Sequence, residues 1–315
     1  MIRKGEYVDI KWESDGRPRV LFLTEGATWA FSRIASQVSK AWGDRYQIQT
    51  AGFRSLSRDG KNEADLVIAL WWGALAHVGR RVRFQRSIVC VYDHFSWKQN
   101  PLLFRKTVEG ADGVVCANDD FHRILRRDAR FSTDKPMWIC EDGVDTTMFQ
   151  PAPFPRVCRL IASWAGNSQA GGGKIKGLDL IREACDQEGV PLMTADREVN
   201  PIDHSEIAQK LYHQSSFGLY ASAGEGTPNP LLETMACGRP VVITAVGLAP
   251  KVIRDGENGV LIQERSVKGI VEAIQRLRSM PLEDAGMLAR EAVMPFDWSI
   301  KVQEWGKVLE MAGAA

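Results

Sequence analysis

Short apolar runs with no polar alternation recur along this chain, each followed by a stretch of helical spacing. This rhythm narrows the possible folds more than any other feature. The first run, residues 20–24, closes at Glu25-Gly26 and leads to Phe31, Ile34, Val38 and Ala41. Steps of three and four place those side chains on one helical face, so the segment reads as strand, glycine turn and helix. Runs at 66–70, 88–92, 113–116 and 137–140 continue the series, with helical stretches at 101–109 and 121–129 among them. Strands that are apolar on both faces belong in a parallel sheet covered by helices. Residues 149–155 then hold three prolines in seven positions. Proline fixes φ and lacks an amide donor, so this reads as an extended linker. Beyond it the rhythm restarts, with strands at 159–164, 190–194, 217–221, 241–244 and 260–262. Helices are expected at 177–188, 205–213, 230–237 and 268–277. Two doubly wound, Rossmann-like α/β domains facing a cleft are the predicted architecture, divided at residues 1–151 and 152–295.

A length of 315 residues is enough for two such cores. The longest apolar runs, 66–72 and 87–92, stop well short of the roughly 18 residues of a membrane span. Residues 1–7 carry Arg3, Lys4 and Glu6 with no apolar core behind them, so a cytoplasmic protein is expected. The six cysteines form no Cys-x-x-Cys pair and read as reduced, buried thiols, which leaves out a disulfide framework and a zinc site. Residues 1–150 hold 23 Lys and Arg against 19 Asp and Glu, or +4, leaving 17 against 20, or −3, for the remainder. The excess gathers at Arg80, Arg81, Arg83 and Arg86 and at Arg123, Arg126, Arg127 and Arg130. Such a patch suits an anionic partner or a membrane surface, and equally a solvated face.

The chemistry concentrates in Ala223-Gly-Glu-Gly-Thr-Pro-Asn-Pro-Leu-Leu-Glu-Thr-Met-Ala-Cys-Gly238. A strand ends before it and a helix begins near Pro230, with Asn229 placed to cap it. Unpaired amides and the dipole at that helix start favour an anion such as a diphosphate. Glu225, in the loop, cannot favour phosphate but can accept hydrogen bonds from sugar hydroxyls. Glu233, one turn inside, can bind the two hydroxyls of a ribose. The alternative from spacing alone is an ordinary strand–turn–helix with an acid favoured by the dipole.

Glu225 to Glu233, with Met235-Ala-Cys-Gly-Arg-Pro-Val-Val242 after it, resembles the Glu-x7-Glu motif of the retaining, GT-B-fold glycosyltransferases of family four. Gly247 and Asp255-Gly-Glu-Asn-Gly-Val-Leu261 are similar to the stretch that follows in that family. Asp142-Gly-Val-Asp-Thr-Thr-Met-Phe-Gln-Pro151 resembles its inter-domain segment, and Lys174-Ile-Lys-Gly-Leu-Asp-Leu180 its donor-phosphate loop. The resemblance spans about residues 110–280. It implies a GT-B architecture whose last helix, at 296–313 with Trp298, Val302, Trp305 and Leu309, returns to the first domain.

By the same resemblance Glu225 holds the donor sugar, Glu233 the ribose, and Lys176 neutralises the leaving diphosphate, with Lys174 as competitor. Gly226, Thr227, Pro228, Asn229 and Leu231 line the donor, and Gly26 lets backbone approach the phosphate. Asn167 stands where the family carries an arginine, so a second cation must come from Arg182 or from the first domain. His94, or alternatively Tyr92, matches a histidine-bearing loop facing the sugar. Trp71, Trp72 and Asp93 read as acceptor contacts, although core packing explains the tryptophans too. No cofactor is implied, and with no Asp-x-Asp signal a metal-independent reaction is expected. The implied partners are a UDP- or GDP-linked sugar and an acceptor saccharide or lipid-linked glycan, with a hydroxylated DNA base second. The competing readings are a nucleotide-sugar epimerase, a sugar phosphorylase and a non-catalytic nucleotide-sugar-binding module.

Overall fold

The computed structural model describes residues 7–24, 29–58, 61–92, 96–128, 134–155, 159–171 and 173–313. The chain divides into two units, Met1–Asp142 with Ser299–Ala315, and Gly143–Trp298.

The first unit is built on β1 (Arg19–Thr24), β2 (Gln47–Gly52), β3 (Asn62–Ala69), β4 (Val82–Val91), β5 (Gly113–Cys116) and β6 (Met137–Ile139). All pair in parallel, in the order β2-β1-β3-β4-β5-β6. Leu21, Leu23, Val67 and Ala69 are buried on one face, and Val89, Val91, Val114 and Cys116 pack with Phe104, Val108 and Phe121. The edge strand β2 has no counterpart among the predicted strands. Its Gln-Ile-Gln-Thr is only half buried, and an edge strand need not be apolar on both faces. The last segment of the chain, from Ser299 on, belongs to this unit: the Trp305 ring lies 5.7 Å from Phe22, and Trp42 Nε1 donates to Val302 O at 3.1 Å. It is broken into helix Trp298–Lys301, a 3-10 turn Val302–Trp305 and helix Gly306–Leu309 rather than one helix. Lys301 Nζ, nearly buried, lies 2.9 Å from Glu141 and also against Glu304.

The second unit carries β7 (Ala162–Gly166), β8 (Leu192–Asp196), β9 (Phe217–Tyr220), β10 (Val241–Thr244) and β11 (Gly259–Ile262). The order is β11-β10-β9-β7-β8, again all parallel. Its core gathers Trp164, Phe217 and Leu219 from the sheet and Ile181, Leu231, Leu232, Ile270 and Ile274 from the helices. The proline-rich segment, expected to separate the units, lies inside this one. Phe149 is buried in its core. Arg239 has no exposed surface and donates to Ala152 O and Pro153 O, both at 2.8 Å, with its guanidinium 4.2 Å over Phe154. Prolines leave their carbonyls free to accept, and a buried guanidinium needs acceptors.

Candidate functional site

In the second sheet β8 lies on one side of β7 and β9 on the other. The loops leaving β7 and β9 therefore part at the carboxyl ends of the strands, where open parallel sheets form their ligand crevices. Lys176 lies in the first of these loops and Glu225 in the second. Lys176 Nζ is 2.5 Å from Glu225 Oε1, and Ser222 Oγ donates to the same oxygen at 2.7 Å. The two side chains are 25% and 15% exposed, which leaves the pair reachable by a ligand and poorly screened by water.

The backbone makes this meeting tight. Ala223 N donates to Ile175 O at 2.8 Å, joining the two loops directly. Gly177, φ +66°, starts helix Leu178–Glu188, and a Cβ there would lie 2.4 Å from Ala221 O. Gly247, φ +56°, brings the loop after β10 so close that a Cβ would sit 2.4 Å from Gly226 O. Both positions demand glycine for conformation and for space. Thr244 Oγ1 holds Ser222 O at 2.7 Å from the same side.

The helix after Glu225 runs Asn229–Ala236 with Pro228 at its cap. Asn229 is thus the first helical residue, and the cap position it was expected to fill is taken by Pro228, which makes no side-chain cap hydrogen bond. Thr227 Oγ1, just before it, is buried with no hydrogen-bond partner among the described residues. A buried hydroxyl without a partner is uncommon and marks a place where a ligand atom would be satisfied. Leu231, expected at the donor, is fully buried in the core, and its amide donates to Pro228 O. Gly226 and Pro228 are buried in the loop.

Glu233 is 4% exposed. Tyr212 OH donates to its Oε2 at 2.8 Å, and His204 Nε2 bonds Oε1 at 3.0 Å. Burial and the neighbouring Glu233 charge push the Tyr212 hydroxyl well up, so it remains a proton donor. Glu225 and Glu233 therefore sit in different surroundings: the first meets a cation in a half-open loop, the second is fixed by two protein donors inside the fold.

Asn167 uses its oxygen to accept from Gln169 N at 2.9 Å and its amide to reach Glu198 at 3.2 Å, so it shapes the loop after β7. Arg182 is exposed and lies 3.6 Å from Asp179. Lys174 is exposed, and its carbonyl accepts from Arg265 Nη2 at 2.8 Å. Asp196, at the end of β8, accepts from the amides of Ser168 and Glu198. Burial pushes its carboxyl up, but hydrogen bonding from the Ser168 side chain, these amide bonds and the Arg182 charge outweigh that and hold it below the usual carboxylate range.

In the first unit Gly26, Asp93 and His94 lie outside the described residues. Tyr92 directly follows β4, with its hydroxyl buried and without a partner among the described residues. Trp72 is 4% exposed and meets Phe104 edge-on at 5.2 Å, which makes it a core residue rather than an acceptor platform. Trp71 is partly buried, stacked on His77 at 6.3 Å with the planes 4° apart. Sequence reasoning missed Ser222, Tyr212, His204 and Arg265. Tyr212, His204 and Arg265 reach partners at least 21 residues away, and Ser222, three residues before Glu225, carries no motif that marks it. Among the described residues no group of three or more His, Cys, Asp or Glu is arranged to hold a metal.

Residues 176–279 match the protein family described as glycosyl transferases group 1. That match covers 104 of the chain's 315 residues. It is similar to an uncharacterized glycosyltransferase of Methanocaldococcus jannaschii, 31% identical over 109 residues, which is 33% of this chain and 26% of that protein. The alignments span only 14% to 26% of the length of the curated relatives it matches. Among solved structures, sucrose-phosphate synthase from Thermosynechococcus elongatus superposes with a TM-score of 0.76 at 17% identity, covering 95% of this chain and all of that one. Anabaena HepE, in complex with UDP and glucose, gives 0.71 at 15% identity over 93% of this chain and all of that one. These likenesses establish the GT-B fold; the group 1 domain coincides with the loops that bring Lys176 and Glu225 together.

Proposed function

We propose that this protein is a retaining glycosyltransferase that moves a sugar from a nucleoside diphosphate, UDP foremost, to an acceptor hydroxyl. The observation that carries the reading is the Lys176–Glu225 pair at 2.5 Å, held at the strand reversal of the second sheet inside the group 1 domain. UDP is favoured because Anabaena HepE, which shares the fold, is seen with UDP and glucose.

The pair also implies how the donor enters. Lys176 cannot serve a diphosphate fully while its charge is answered by Glu225. Donor binding therefore exchanges partners: Lys176 turns to the phosphate oxygens, and Glu225, released, accepts hydrogen bonds from sugar hydroxyls. As the glycosidic C–O bond breaks, negative charge grows on the diphosphate, and the lysine stabilises that charge more than it stabilised the bound donor. Thr227 Oγ1 and the amides at the start of helix Asn229–Ala236 are the further donors proposed for the phosphates. Glu233, fixed by Tyr212 and His204, is proposed to receive the ribose. Glu225 is a hydroxyl acceptor in this scheme and not a nucleophile, and the departing phosphate takes the acceptor proton on the face it leaves, which retains configuration. With lysine in the neutralising role, no divalent ion is required, and turnover in a chelator is expected to persist.

The acceptor proposed is a saccharide or lipid-linked glycan, with the arginines of the first unit meeting an anionic partner or a membrane surface; a hydroxylated DNA base is second. A cytoplasmic setting is proposed with it. No helix among the described residues is long and apolar enough to cross a membrane. The test is direct. Thermal stabilisation by a series of nucleotide sugars identifies the donor, because a ligand at about 100 times its Kd adds about 2.7 kcal/mol. Acceptor-stimulated release of UDP then establishes transfer, and the anomeric configuration of the product is read by NMR. Unchanged turnover in Glu225→Ala with unchanged donor binding would refute the assignment. Interconversion of the sugar without an acceptor would establish an epimerase instead.

A further inference from the structure

Arg265 lies in the turn between β11 and helix Val267–Arg278, far in sequence from both loops of the candidate site. Its Nε donates to Ala221 O at 2.7 Å, and its Nη2 donates to Lys174 O at 2.8 Å and Ile175 O at 3.4 Å. Ala221 is the first residue after β9, in the loop that carries Glu225. Lys174 and Ile175 immediately precede Lys176. One guanidinium thus spans the two loops whose side chains form the central ion pair.

The carbonyls it engages are those a strand end and an irregular loop leave without ladder partners. Gly177 shows how closely the parts are fitted, since a Cβ there would lie 3.0 Å from Arg265 Nη2 as well as 2.4 Å from Ala221 O. A guanidinium suits this task because its donors point in fixed, divergent directions, whereas an ammonium on a flexible stem offers one point of attachment. Ser266, the next residue, caps its helix by accepting from Gly269 N at 3.1 Å, which anchors the backbone from which Arg265 reaches out.

We propose that Arg265 is a positioning residue: it touches neither donor nor acceptor, but holds the loop of Lys176 against the loop of Glu225 so that both meet one donor. The inference rests on the transferase reading above, and its experiment separates the two. In Arg265→Ala the fold persists, because the residue is exposed and its hydrogen bonds go to loop carbonyls rather than into either face of the sheet. The loops lose their clamp, and a displacement of about 1 Å at a catalytic group costs on the order of a hundredfold in rate. The expected result is a kcat reduced roughly tenfold to a hundredfold with acceptor KM unchanged. Arg265→Lys stays low, and added methylguanidinium restores part of the turnover of Arg265→Ala.

Amide exchange followed by mass spectrometry gives a readout that needs no activity. Residues 174–178 and 221–226 should exchange faster in Arg265→Ala than in wild type, while β9 and β10 exchange as before. Wild-type kcat in Arg265→Ala, full activity in Arg265→Lys, or unaltered exchange in both loops each overturns the proposal. A wild-type protein that transfers no sugar refutes the transferase reading, and the exchange experiment still decides whether Arg265 clamps the loops.

Discussion

The two sheets reverse strand order at equivalent places, between β1 and β3 in the first unit and between β7 and β9 in the second. The chain uses those places differently. After β9 it sets Ser222 and Glu225 against Lys176, with a glycine on either side to let the loops close. After β3 it sets Trp71 and Trp72, which turn into the packing of their own unit against His77, Phe53 and Phe104. A strand reversal supplies an opening, and the residues placed there decide whether it becomes a polar site or part of the core.

Substitution at each reversal should break this contrast in opposite ways. Trp72→Ala removes a buried ring and is expected to cost about 3–5 kcal/mol of stability. Urea unfolding measures that loss, and UDP binding below the transition should be unaffected. Lys176→Ala should lower kcat by about a hundredfold to a thousandfold, the range for losing one preorganised charge or donor, with a melting temperature within a few degrees of wild type. A large loss of stability in Lys176→Ala, or of turnover without unfolding in Trp72→Ala, would undo the distinction. Tyr212→Phe leaves a buried carboxylate short of a donor and should cost about 1–3 kcal/mol, read from the unfolding midpoint.

Glu225→Gln sharpens the partner-exchange scheme because its effects have opposite signs. Turnover should fall, yet UDP alone should bind about threefold to tenfold more tightly, since the neutral amide no longer competes for Lys176. Isothermal titration with UDP measures this, and weaker UDP binding would contradict the exchange.

The smallest expected effect is one in which the units agree. Burial pushes the thiols of Cys116, in the first unit, and Cys237, in the second, up to about 12. Unfolded thiols ionise near pH 9, so between pH 9 and 12 the folded state binds more protons and stability falls as pH rises. Below pH 9 the contribution is fully present. By pH 10 the loss should be roughly 1 kcal/mol for each thiol, visible as a difference from Cys116→Ala and Cys237→Ala in urea unfolding.

Most of the strands were legible in the chain because β1, β5, β9 and β10 are buried on both faces and therefore apolar without interruption. The strand β2 was not, since an edge strand with one half-exposed face can be written Gln-Ile-Gln-Thr. The proline-rich segment misplaced the division between units for a related reason. Proline reports an extended backbone, but only the contacts of Arg239 reveal that the segment is fastened to one body. In the site, spacing could bring Glu225 before a helix start, but it could not show that Asn229 is already helical or that Leu231 faces the core.

The pattern of apolar runs and glycines determined by itself that the chain forms two parallel sheets with a strand–loop–helix at Glu225, because burial and backbone conformation are local demands each residue must meet. Only the tertiary structure decided what Glu225 and Glu233 touch. Lys176 lies 49 residues from Glu225, and Tyr212 and His204 lie 21 and 29 from Glu233. Whether those charges and donors meet depends on which strands are neighbours and how closely their loops approach, which no single stretch of sequence encodes.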